Sequence, residues 1–178
     1  MLNHVPPVFL RHVLQMRKDW RFAATKIAAL PKSELPKDTV RRYLAAREFA
    51  PGNTLCYAPE NSMYFARNGN IQACCFNRDV PLGRYPEQSI QEVWQGPRRV
   101  SLRQRIKCHD LHGGCQLCKK SLLEGAPEQV PARQYDYAAQ RHPAWPTRMD
   151  FELDNACNLE CVMCSGEFSS TIRIKIIY

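Results

Sequence analysis

Apolar residues recur at three- and four-residue steps through Leu10, Val13, Met16, Trp20, Ala23, Ile27 and Leu30, with Arg11, Arg17, Lys18, Arg21 and Lys26 mostly between them. This is the period of an amphipathic helix, and Pro31 stops it. A second helix is expected to start near Asp38, which can cap it, and to close at Pro51-Gly52. The period then shortens. Two β-prone runs, 62–67 and 70–76, flank Asn68-Gly69. Asn-Gly between such runs is a strong hairpin signal, because both turn residues must take positive φ. With Asn68 and Gly69 as a two-residue loop, Arg67 faces Asn70 and Met63 faces Cys74. Cys74 and Cys75 then point to opposite faces, so at most one of them easily reaches a given ligand site.

Ser89-Ile90-Gln91-Glu92 has the form of a capping box opening a short helix that carries Val93 and Trp94. Pro97 after Gly96 restarts a helix through Val100, Leu102 and Ile106. Prolines return at 127, 131, 143 and 146, which reads as a linker with a short helical or irregular core. Beyond it, Met149, Phe151 and Leu153 alternate with charged residues, the period-2 signature of a strand. The pattern is that of an α+β protein without internal repeats.

Nine cysteines change the picture, because the chain carries no export signal: Val8-Phe9-Leu10 is too short for a signal-peptide core. No apolar run approaches the ~20 residues of a membrane span, so the chain reads as cytoplasmic. In a reducing compartment clustered thiols favour metal ligation over disulfides. Charge is uneven. Residues 1–50 hold ten Lys/Arg against four Asp/Glu, and residues 126–178 hold five against seven. A basic front can attract nucleic acid, although a solvated helix face is the favoured reading.

The strand at 149–153 runs into Cys157, Cys161 and Cys164 at C-x3-C-x2-C spacing, with Asn158-Leu159 after the first cysteine. Three close thiolates with no nearby fourth suit an iron–sulfur cluster with one open iron. This constellation resembles the opening of the radical SAM superfamily. The resemblance implies a [4Fe–4S] cluster on Cys157, Cys161 and Cys164, with S-adenosylmethionine on the fourth iron. It further implies reductive cleavage of that cofactor to a 5′-deoxyadenosyl radical, on a peptide or small-molecule substrate, with an external electron donor. Met163 stands where the family often has an aromatic residue and is expected to pack beside the adenine.

Upstream, Cys56, Gly69 and Cys74 stand at C-x12-G-x4-C, followed by Cys115-x2-Cys118 behind the flexible pair Gly113-Gly114. With Ser89 and Trp94-Gln95-Gly96 between them, these residues are similar to the SPASM/twitch module of radical SAM enzymes. The shorter twitch form implies one auxiliary [4Fe–4S] cluster on Cys56, Cys74, Cys115 and Cys118, for electron relay or substrate positioning. Four cysteines in two groups also suit a structural zinc site, and a zinc- or cluster-binding module with a basic front for RNA or a protein partner is the alternative function. Cys75 and Cys108 are read as spare thiols, with Cys108 a substitute ligand; His109 and His112 flank the site.

The resemblance divides the chain into a helical region (1–50), the auxiliary module (51–125), a Pro-containing linker (126–146) and the start of a radical SAM domain (147–178). The fold expected is α+β, with N-terminal helices, a twitch-type hairpin-plus-helix module, and the first strand and cluster loop of an incomplete (β/α) barrel. A full barrel of this kind runs to ~250 residues, so a truncated chain, or a reading frame that shifts near Ile174, is the expectation. The stretch 167–173 is expected to begin a helix, whereas the isoleucine-rich tail fits helix poorly because β-branched residues crowd it. The strand would then have unpaired edges and an apolar face open to water. Anaerobic reconstitution of the 178-residue chain is accordingly expected to give no 5′-deoxyadenosine, and clear turnover would overturn that expectation.

Overall fold

A computed structural model of the chain describes residues 35–47, 52–138, 143–157, 161–162, 164–166 and 168–177. The expected first helix (Leu10 to Leu30, with its stop at Pro31), Pro51 and Met163 lie outside the described residues. Helix α1 (Lys37–Ala45) buries Val40 and Tyr43 one turn apart. Asp38 does not cap it. Pro36 occupies the N-cap, and Asp38 sits in the first turn beside Arg41 and Arg42. The helix also ends at Ala46, well short of Gly52. The reason is tertiary: Arg47 turns inward, where its guanidinium meets the Asp136 carboxylate and donates to the Thr54 carbonyl.

A one-turn helix α2 (Ala58–Asn61) leads into β1 (Ser62–Phe65), which pairs antiparallel with β2 (Asn70–Gln72). The hairpin forms at the expected place with a different register. Tyr64 faces Gln72 and Phe65 faces Ile71, so the loop has three residues, Arg67-Asn68-Gly69, and Met63 moves out of register with Cys74. The Gly69 N–H donates to the Ala66 carbonyl at 2.9 Å, and Gly69 then takes φ +86°. A turn followed by a left-handed residue is the common three-residue hairpin. A Cβ on Gly69 would lie 2.7 Å from the Tyr85 carbonyl, and the Tyr85 N–H donates to the Gly69 carbonyl. The incoming chain at Tyr85 thus reserves this position for glycine.

β3 (Gly83–Arg84) extends the sheet from β2, and β4 (Arg148–Phe151) adds parallel to β1, giving the open mixed order β3-β2-β1-β4. The strand expected at 149–153 is therefore paired along one edge, not bare on both. Phe65 and Phe151 stack at 4.7 Å across that pair. The apolar side of β4 does face water: Met149, Phe151 and Leu153 are 41, 57 and 87% exposed.

Helix α3 (Ile90–Trp94) opens with the expected capping box, both reciprocal Ser89–Glu92 bonds being present. α4 (Pro97–Lys107) starts on Pro97 and buries Leu102 and Ile106. Between them the Arg99 guanidinium lies 3.3 Å over the Trp94 ring. α5 (Gln116–Leu123) follows. The proline-rich stretch is more than a connector. It forms two 3₁₀ helices, Pro127–Gln129 and Pro131–Ala138, and places Val130, Ala132 and Tyr135 in the same core cluster as Tyr43, Leu55 and Met63. The tail, against its β-branched composition, is helix α6 (Ser170–Ile177). The Ser169 hydroxyl accepts from the Ile172 N–H, and such a cap satisfies a donor that isoleucine propensity does not touch.

No helix among the described residues is long and apolar enough to cross a membrane. Removing Asp136 by alanine would leave the Arg47 charge buried without its counter-ion, at a cost of about 3 kcal/mol. The urea midpoint should fall accordingly, while an exposed control at Glu124 should leave it unchanged.

Candidate metal centre

Three separate stretches deliver four thiols to one cavity. Cys56 precedes α2, and its sulfur accepts the Ala58 N–H at 3.3 Å. Cys74 follows β2 in a turn closed by the Asn77 N–H on the Cys74 carbonyl at 3.3 Å. Cys115 is the N-cap residue of α5, and Cys118 lies in that helix's first turn, three residues on and so on the same face. All four line a single cavity whose other walls are apolar, chiefly Leu55, Leu111, Leu122, Val130 and Tyr135.

The electrostatics of the four sulfurs have two opposed parts. Burial pushes the Cys74, Cys115 and Cys118 thiols up to about 12 and Cys56 well above its ordinary value; thiolates crowding each other add to it. Against this, every sulfur meets an N–H. The donors are Ala58 for Cys56, the backbone of Phe76 and Asn77 for Cys74, the Asn77 carboxamide for Cys115 at 3.6 Å, and the Ala132 backbone for Cys118. Such donors stabilise thiolate and oppose thiol. Two buried polar atoms beside the cavity, the Tyr135 hydroxyl and the Asn77 carboxamide oxygen, have no hydrogen-bond partner. The set is that of a soft-metal site in a dry pocket. Among the described residues no three His, Cys, Asp or Glu side chains are grouped as ligands of one ion.

The four cysteines that the family resemblance implies as auxiliary ligands all line this cavity. Cys75 and Cys108 do not line it. The Cys75 thiol lies instead among Asp150, Arg78 and Arg148. His109 contacts the Asn53 carbonyl at 3.0 Å, and His112 lies 3.3 Å from Asp110. The second cysteine group behaves differently. Cys161 is exposed, while Cys157 and Cys164 are half-buried. The Thr171 hydroxyl donates to the Cys157 carbonyl at 2.7 Å, and the Cys164 N–H to the Cys161 carbonyl at 2.9 Å. Cys157 is thereby tied to the start of α6.

Sequence reasoning missed Asn77, Ala132 and Tyr135. Asn77 had a usable signal in its place just after the Cys74-Cys75 pair. The other two stand in a stretch whose prolines read as linker.

Comparison with protein families matches residues 56–119 to SPASM, described as an iron–sulfur cluster-binding domain. The match begins at Cys56 and runs through Cys118. Comparisons with curated proteins and with solved structures found no match.

A thiol with a raised folded pKa favours the fold while it remains protonated. That contribution is intact below the unfolded value near 9 and is lost as pH rises toward about 12. The metal-free protein should therefore lose thermal stability over this range, and serine at Cys74, Cys115 and Cys118 should flatten the slope. Once metal replaces the protons the sign reverses, and affinity rises with pH.

Proposed function

We propose that Cys56, Cys74, Cys115 and Cys118 hold a [4Fe–4S] cluster, and that the chain is a radical SAM protein. In this reading Cys157, Cys161 and Cys164 hold a second cluster that binds S-adenosylmethionine, with Met163 near its adenine. The substrate is a peptide or a small biosynthetic molecule, and reduction comes from an external donor. The observation that carries the reading is the cavity itself: four thiols from three stretches, dry walls, and an N–H for each sulfur, inside a region that matches an iron–sulfur domain.

The match of residues 56–119, which contain all four cysteines, to an iron–sulfur cluster-binding domain supports a cluster over zinc. A cluster with four protein thiolates supplies electron transfer, and one with three supplies reductive cleavage of S-adenosylmethionine. The chain's own part is to exclude water, through Leu55, Leu122, Val130 and Tyr135, and to steady thiolate charge through the N–H donors.

The alternative, a zinc- or cluster-binding module with a basic helical region that binds RNA or a protein partner, rests on residues 1–50, most of which lie outside the described residues, and it draws little from the basic helix α4. Arg98 and Arg99 donate to the carbonyls of Pro81, Trp94 and Glu60, whereas Arg103 and Lys107 pair with the Glu60 carboxylate and Arg105 with Asp110. Those cations are engaged within the fold.

Anaerobically purified or reconstituted protein is expected to contain about four iron and four sulfide for the cavity alone, with broad visible absorption. Serine at any of Cys56, Cys74, Cys115 or Cys118 should remove that share, and serine at Cys75 or Cys108 should not. Stoichiometric zinc without sulfide would overturn the proposal.

A further inference from the structure

One side chain joins two of the three stretches that build the centre. Asn77 is fully buried. Its backbone N–H closes the Cys74 turn and faces the Cys74 thiol. Its carboxamide nitrogen reaches across to the other arm, donating to the Gly113 carbonyl at 3.5 Å and to the Cys115 sulfur at 3.6 Å. The carboxamide oxygen has no partner.

The backbone opposite is shaped to admit this group. Gly114 takes φ +92°, and a Cβ there would lie 2.0 Å from the Asn77 oxygen and 2.7 Å from its Cγ. Gly113-Gly114 thus does more than bend the chain toward Cys115: it leaves room for the carboxamide. Burying an amide with an idle oxygen is unfavourable, and leucine would fill the same volume without that cost. A side chain kept under such conditions is explained by what its N–H does, and here the N–H points at a sulfur.

Resting on the cluster reading above, we propose that Asn77 is a positioning and tuning residue of the centre. Its carboxamide locks the Cys115 loop onto the Cys74 turn and donates a hydrogen bond to the Cys115 thiolate. Hydrogen bonds to cluster sulfurs favour the more negative, reduced state and raise the reduction potential. A purely structural Asn77 would affect loading and leave the potential alone.

The test uses the full chain, reconstituted anaerobically, as wild type, Asn77→Leu and Asn77→Ala. Leucine removes the donor while filling the volume, and alanine removes it with no bulk facing Gly114; neither adds charge, and circular dichroism checks that both fold. Redox titration followed by electron paramagnetic resonance is expected to give a more negative potential in both variants. Iron release to a chelator should be about 10-fold faster, as for other groups that orient metal ligands. An unchanged potential in a variant that loads normally, or poor loading with an unchanged potential in the loaded fraction, would overturn the proposal. If the wild type holds zinc and no sulfide, the cluster reading has failed, and Asn77 is then judged by zinc release: a faster rate in Asn77→Leu supports the positioning role, and an equal rate overturns it.

Discussion

The Arg47 guanidinium is the point on which the module's packing turns. It lies about 5 Å over both the Tyr43 and Tyr57 rings, pairs with Asp136, and donates to the Thr54 carbonyl. A single buried cation therefore joins the end of α1, the approach to Cys56 and the 3₁₀ helix whose Ala132 and Tyr135 wall the cavity. Such a pair adds little to stability compared with an apolar substitute, yet breaking it is costly. Its effect is to specify which segments meet. Tyr43 reinforces the arrangement by donating to the Leu55 carbonyl at 3.2 Å, one residue before Cys56.

The cavity so enclosed is a poor place for a charged thiolate and a poor place for nothing. Desolvation raises all four thiols, and the N–H donors around them have no strong acceptor until the protons leave. A bound metal would resolve both difficulties at once, because it would replace the protons and let every donor meet sulfur charge.

The two cysteine groups are tied together through β4. That strand turns its polar side inward, contrary to the usual order. Arg148 lies over the Tyr135 ring at 4.9 Å, and Glu152 accepts from the Tyr64 hydroxyl and from Arg78. Arg78 donates to the Cys75 carbonyl and stacks 4.6 Å from the Phe168 ring. The turn carrying Cys74, the strand, and the loop after Cys164 therefore converge on one guanidinium. Met149, Phe151 and Leu153 are left outside by the same arrangement, since the side that packs is the charged one.

The sequence by itself determined what depends on a few neighbouring residues. The capping box at Ser89, the helix restart at Pro97 and the hairpin at Gly69 follow from local backbone chemistry, and the family resemblance implied the grouping of Cys56, Cys74, Cys115 and Cys118. Only the tertiary structure decided the rest. The hairpin register answers to Tyr85, the end of α1 to Asp136, and the role of the proline-rich stretch to the cavity it closes. The helical tail was misjudged because propensity weighs side chains one at a time, and the cap at Ser169 weighs one turn as a unit. In each case the deciding partner lies outside the window that periodicity can read. A residue's own chemistry sets what it can do, and the partner that folding brings to it sets which of those things it does.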